Sequence, residues 1–185
     1  LPINTERGAI AGQETLRRAR ESSREKGMSI LLPIDPELMM EIALAEARRG
    51  AEADEVPIGA AVFRGGELLA AAHDAKESLD DPSAHAEILA LRAAGQAIGD
   101  WRLDGCDLVV TLEPCPMCAG ALVQARVARL IFGARNARWG AIVSRCRLLD
   151  EPVFNHRVEW TEGVRASECA AILQDYFRKK RREEE

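Results

Sequence analysis

Apolar positions recur along this chain in two rhythms. After Asp35-Pro36, an N-cap followed by proline at the first helical position, Leu38, Met39, Ile42 and Ala45 return at helical spacing. They predict a helix running to about Ala53. Ile58 to Phe63 and Leu68 to Ala72 are short apolar runs flanking Arg64-Gly65-Gly66-Glu67, the pattern of a hairpin. The loop Asp80-Asp81-Pro82-Ser83 opens into a helix expected from about Ala84 to Ala97, with Ile88, Leu89, Leu91 and Ala94 on its buried side. Asp107 to Leu112 reads as a buried strand, Pro116 to Gln124 as a helix and Val127 to Phe132 as another strand. A glycine-punctuated loop with Trp139-Gly140 follows, then a short strand from Val158 to Thr161 and a last helix from Arg165 to about Arg181. Strands alternating with helices predict an α/β fold, a layered sandwich whose sheet is covered on both faces.

Residues 1–30 break this rhythm. From Glu14 to Gly27 the only apolar side chains are Leu16 and Ala19, so no amphipathic stripe can form. The segment is expected to be a loose arm or an upstream addition before a start at Met28, with an RNA-binding arm as the alternative. Residues 31–182 are expected to form one domain and 183–185 a tail.

The 185 residues are 47% hydrophobic and 30% charged, enough to bury a single core. No apolar run reaches the roughly 18 residues of a membrane span. A net charge of −5 argues against a protein that coats nucleic acid non-specifically. A local patch remains, because Arg178-Lys179-Lys180-Arg181-Arg182 are five consecutive bases ahead of three glutamates. Read alone, such a run is a solvated helix end. Five cysteines, an odd number without an export signal, predict reduced thiols and a cytoplasmic setting.

The chemistry concentrates in two places. His85-Ala86-Glu87 lies at the start of one predicted helix, and Pro114-Cys115-Pro116-Met117-Cys118 at the start of the next. Cys115 and Cys118 are three apart, so one helical turn points both sulfurs the same way. The positive end of the helix favours their thiolates. His85 would supply a third ligand, and three protein ligands leave a zinc ion one open position for water. Glu87, two residues from His85, would face the same site as a proton carrier rather than a ligand. Alone, a C-x-x-C pair also suits a redox couple or two buried thiols, and iron would accept the same three donors. Together, H-A-E and P-C-x-x-C match the signature of zinc deaminases.

The chain resembles the bacterial tRNA adenosine deaminases. The resemblance runs from Leu38 to Arg182, through Glu55-Val56-Pro57-Ile58-Gly59-Ala60, Ala84-His85-Ala86-Glu87 and Asp100-Trp101-Arg102-Leu103. It continues through Thr111 to Ala121, Phe132-Gly133-Ala134-Arg135, Phe154 to Glu159 and Tyr176-Phe177-Arg178. It implies a three-layer α/β/α sandwich with a mixed, roughly five-stranded sheet, one Zn2+ per chain and a homodimer. The implied reaction is hydrolytic conversion of adenosine to inosine at the wobble position of a tRNA anticodon stem-loop. Glu87 would deprotonate the attacking water and then protonate ring N1 and the departing ammonia. The base must leave its stack, which costs less in a single-stranded loop than in a duplex. Phe177 and Arg178 on the last helix would help hold the loop. Asn155, in a matching stretch, is a further candidate substrate contact.

Two positions depart from the family pattern. Asp74 stands 11 residues before His85, where the family carries an Asn facing the base. An ionised Asp cannot donate to adenine's ring nitrogens. It would have to be protonated, bind a ribose hydroxyl, or meet a substrate with an N–H at that edge. A free guanine-like or oxidised purine satisfies the last condition and defines an alternative substrate class. Asn136 replaces the usual Asp after Phe-Gly-Ala-Arg, which would ease the approach of phosphate. A zinc-stabilised RNA-binding module without catalysis is the third reading, and Glu87 argues against it.

Overall fold

The computed structural model describes residues 35–183, so the expected arm at 1–30 lies outside the described residues. The elements follow in the order α1 (Pro36–Glu52), β1 (Gly59–Arg64), β2 (Glu67–His73), α2 (Lys76–Leu79), α3 (Ala86–Ile98), β3 (Cys106–Leu112) and α4 (Pro116–Gln124). Next come β4 (Arg129–Ala134), a 3-10 turn (Leu148–Asp150), β5 (Glu159–Glu162) and α5 (Ala166–Glu183). The single-turn helix α2 and the 3-10 turn have no counterpart in the hydrophobic pattern, being too short to show a period. Asp35 caps α1 as expected, its carboxylate accepting the Glu37 N–H at 3.0 Å. At the other end of the chain Glu183 belongs to α5, so the last helix reaches beyond the basic run.

The five strands form one sheet in the order β2-β1-β3-β4-β5. β1 is antiparallel to β2 and β3, whereas β3, β4 and β5 are parallel. The hairpin turns at Gly65 and Gly66, whose φ values of 55° and 82° fall where side chains are strained. A mixed sheet therefore grows from one tight hairpin and two helical crossovers.

Strand residues divide alternately between two cores. Ala60, Val62, Leu108, Val110, Leu130 and Phe132 face α3 and α4, meeting Ala90, Ala94 and Leu122. Ala61, Phe63, Val109 and Ile131 face the opposite way, onto Met39, Met40 and Leu44 of α1 and Cys169 of α5. Period-two alternation between two apolar faces is what makes these strands read as continuous apolar runs. Phe63 and Phe132 are both fully buried, one on each face. Truncating either to alanine would cost about 3–5 kcal/mol. At Gly59 a Cβ would collide with the backbone of α1 at Ala43 and Ala47, so glycine lets that helix settle directly on the sheet. Among the described residues no helix is long and apolar enough to cross a membrane.

Candidate active site

The antiparallel start of the sheet sets where the site forms. β3 ends at Leu112, and the chain turns through Glu113-Pro114 into α4. The loop after β2 enters α3 beside it. His85 and Cys115 are the N-cap residues of α3 and α4, both with extended backbone (φ/ψ −73/151 and −75/172). Neither side chain caps its own helix. Imidazole and thiol instead turn toward each other across the gap, and Cys118 joins them from the first turn of α4.

His85 Nδ1 lies 3.7 Å from Cys115 Sγ and 3.5 Å from Cys118 Sγ. One donor atom from each of the three falls within 4.8 Å of the others. A tetrahedral zinc with Zn–N near 2.05 Å and Zn–S near 2.3 Å requires an N···S edge of about 3.6 Å. Both distances fit that edge, and two thiolates with one imidazole are donors suited to zinc. The charge distribution agrees. The Cys115 thiol is drawn down to about 4, first by the hydrogen bond from Cys118 and then by His85, against the upward pull of burial. Cys118, the donor in that bond and itself buried, is pushed up. His85 is raised chiefly by its bond to Cys115.

Glu87 occupies the first turn of α3, only 4% exposed. Burial, reinforced by the negative charge of Asp74, pushes its carboxyl up to about 7. A carboxyl poised near neutrality beside an electrophilic centre can both accept and return a proton. Asp74 is fully buried alongside. Its Oδ1 accepts the Ala86 N–H at 2.8 Å, while Oδ2 has no hydrogen-bond partner among the described residues. Lys76 Nζ lies 3.6 Å from Oδ2. Burial raises the Asp74 pKa, opposed by the Ala86 N–H and by the positive charges of His85 and Lys76.

A third buried carboxylate, Glu113, lies directly before Pro114-Cys115. Glu113 Oε1 accepts the N–H groups of Ile142, Val143 and Ser144 at 3.1, 2.7 and 2.9 Å. Its Oε2 accepts the Asn136 N–H at 3.0 Å and the Ser144 hydroxyl. Burial alone would raise this carboxyl, but the Ser144 hydroxyl and the ring of backbone donors hold it below the usual value. The loop that follows β4 is thereby clamped over Pro114, whose carbonyl accepts the Ala141 N–H at 2.8 Å. Gly140 packs so closely on Glu113 that a Cβ there would overlap the carboxylate.

The structure brings His85, Glu87, Cys115, Cys118 and Asp74 together. Asn136 lies at the same end of the sheet, but its side chain faces its own loop: Oδ1 accepts the N–H groups of Arg138 and Trp139 at 3.1 and 3.0 Å. That turn leaves Trp139 67% exposed. Phe177, 44% exposed, and Arg178, paired with Asp175, lie on α5. Their neighbour Tyr176 donates to the Asp54 carbonyl at 3.0 Å, and Lys180 Nζ pairs with the Asp54 carboxylate. The adjacent Glu55 accepts the N–H groups of Glu77 and Ser78 in α2, which links the tail of α5 to the segment after Asp74.

Asn155 is not brought to the cluster. Its side-chain oxygen accepts from Arg126 at 2.9 Å, just past the C-terminal end of α4. Because Arg129 pairs in register with Asp107 at the start of β3, that end of α4 lies at the opposite end of the strands from Cys115. Glu113 and Lys76, by contrast, were not singled out from the sequence. An acidic residue directly before Pro-Cys was visible there, but its backbone partners were not.

A cluster of two cysteines, a histidine and a buried glutamate at paired helix starts on such a sheet is the arrangement of a deaminase. The model of the MafB19-like deaminases matches residues 34–181. A tRNA-specific adenosine deaminase from Aquifex aeolicus is 44% identical over 145 residues, covering 78% of this chain and 95% of that protein. A structure from studies of A-to-I editing by tRNA:A34 deaminases at the wobble position aligns with a TM-score of 0.71 at 45% identity, covering 73% of this chain and 98% of that one. The guanine deaminase of Nitrosomonas europaea aligns with a TM-score of 0.65 at 29% identity, covering 77% and 84%. The chain belongs to the MafB19-like deaminases and, within them, to the tRNA-specific adenosine deaminases.

Proposed function

We propose that this protein converts adenosine to inosine at the wobble position of a tRNA anticodon loop, with zinc held by His85, Cys115 and Cys118. The observation that carries the reading is Glu87, buried beside that trio in a chain nearly half identical to an enzyme of this name. When bound, zinc supplies the Lewis acidity that makes water a nucleophile at neutral pH. The chain's own residues do the rest. Glu87 takes a proton from the attacking water as the new C–O bond forms at purine C6. It delivers that proton to ring N1, then takes the proton of the hydroxyl newly added at C6 and gives it to the amino group as the C–N bond breaks and ammonia leaves. Water and adenosine thus become inosine and ammonia, and Glu87 ends as it began.

The rim would hold the RNA. Trp139 and Phe177 offer exposed rings for splayed bases, and the basic run from Arg178 offers charge for phosphates. Asn136 would serve by shaping the Trp139 turn without adding negative charge. Asn155 has no part in this reading. The protein is taken as a cytoplasmic homodimer, and light scattering on purified protein would test the dimer.

One observation favours a second reading. Asp74 presents an acceptor where adenine's ring has only acceptors, which would suit a free guanine-like base instead. Incubating the protein with an anticodon stem-loop carrying wobble adenosine, and in parallel with free purines, separates the two. Inosine in the RNA with unreacted free bases supports the first; turnover of free guanine alone would replace it with the second.

A further inference from the structure

Cys115 is the member of the trio with the least support of its own. Cys118 sits inside the first turn of α4 and is fully buried, so the helix fixes it. Cys115 stands just ahead of that helix, half-buried and with extended backbone, and its thiol caps nothing. Its carbonyl accepts the Ala119 N–H at 2.9 Å, which anchors the residue from the C-terminal side alone. From the other side it is held by the two residues before it.

Those two residues are tied to the end of β4 and the loop beyond it. The Glu113 N–H donates to the Ala134 carbonyl at 2.8 Å, and the Pro114 carbonyl accepts the Ala141 N–H at 2.8 Å. The Glu113 carboxylate takes the N–H groups of Ile142, Val143 and Ser144 on one oxygen, and the Asn136 N–H and the Ser144 hydroxyl on the other. Ala141 and Ile142 are themselves buried in the core that holds Ala119 and Leu122 of α4, so the loop is a fixed reference. Ligand distances in a metal site hold to about 0.2 Å, and groups that orient a ligand from behind it contribute about 10- to 100-fold to metal affinity. We propose that Glu113 is a positioning residue for the zinc site: by clamping the segment before Cys115 to the core-anchored loop, it places the Cys115 sulfur for the metal. The inference rests on the zinc reading above and adds to it a residue that acts through Cys115.

The test measures zinc affinity, not turnover. Protein stripped by a chelator is titrated with zinc against a chromophoric competitor, for wild type, Glu113→Ala and Phe63→Leu. Phe63 is fully buried on the opposite face of the sheet, so its truncation loosens the fold without touching the clamp. Circular dichroism confirms that each chain is folded at the temperature used. Glu113→Ala should bind zinc about 10- to 100-fold more weakly than wild type, and Phe63→Leu within about threefold of it. Should Glu113→Ala fail to fold, Glu113→Gln keeps the shape and one acceptor oxygen but loses the charge, and should weaken zinc by about 3- to 10-fold. Glu113 variants that hold zinc as tightly as wild type would overturn the inference, as would an equal loss of affinity in Phe63→Leu. Wild-type protein that takes up no zinc would instead overturn the zinc reading beneath it.

Discussion

Cys118 Sγ lies 3.5 Å from His85 Nδ1, although the two residues are 33 apart in the chain. Two helix starts on one face of the sheet bring them together, and neither helix would hold the geometry alone. The same convergence buries Glu87 within the site, and burial raises its carboxyl above the usual range.

That placement makes Glu87 separable from metal binding. Glu87→Gln should keep the shape of the pocket and its metal while losing the proton carrier. The expected result is a fall in kcat of about 10³-fold or more with one zinc per chain still present by elemental analysis. Loss of metal together with activity would make Glu87 part of the metal's coordination instead.

Glu113 should matter through the loop it holds. Glu113→Ala leaves the N–H groups of Asn136, Ile142, Val143 and Ser144 without their buried acceptor. It should destabilise the protein by about 3–5 kcal/mol in urea titrations. Gly140→Ala, which drives a methyl against that carboxylate, should cost about 1–3 kcal/mol. Because both act on one contact, the double variant should lose less than the two costs combined.

Much of this was legible from the chain. The bounds of α4, its N-terminal Cys-x-x-Cys and the Asp35 cap of α1 all follow from local spacing, and the structure keeps them. The trio was readable because zinc demands particular side chains at particular intervals. The clamp on Glu113 was not. Its donors are mostly backbone groups 23 to 31 residues further on, and backbone amides carry no sequence signature. Asn155 shows a different limit: a stretch shared with a family does not say at which end of a parallel sheet it lies.

Asn155 should therefore be dispensable for turnover. Asn155→Ala is expected to leave kcat/KM within about twofold and to cost up to about 1 kcal/mol through the exposed Arg126 contact. A large loss of kcat/KM with unchanged stability would return Asn155 to the site.

Glu55 gives the fold a dependence on acid. Burial pulls its carboxyl upward, but hydrogen bonds from Ser78 and Glu77 outweigh burial and hold it below the usual value. A depressed folded pKa means that the unfolded chain binds the proton more readily, so stability falls as pH drops. Relative to Glu55→Gln, wild type should be more stable by about 1–3 kcal/mol at neutral pH. That advantage should fade below the ordinary carboxylate value of about 4.3 and vanish once the folded carboxyl is protonated. Chemical denaturation of both proteins across this range measures it; a difference independent of pH would assign the effect to packing.

The central claim is tested most directly by stripping the metal and restoring it while following inosine in one RNA. Protein freed of metal by a chelator should leave the wobble adenosine of an anticodon stem-loop intact, and zinc added back should restore conversion to inosine. Undiminished conversion by the stripped protein, or none after zinc is returned to correctly folded chains, would contradict the account.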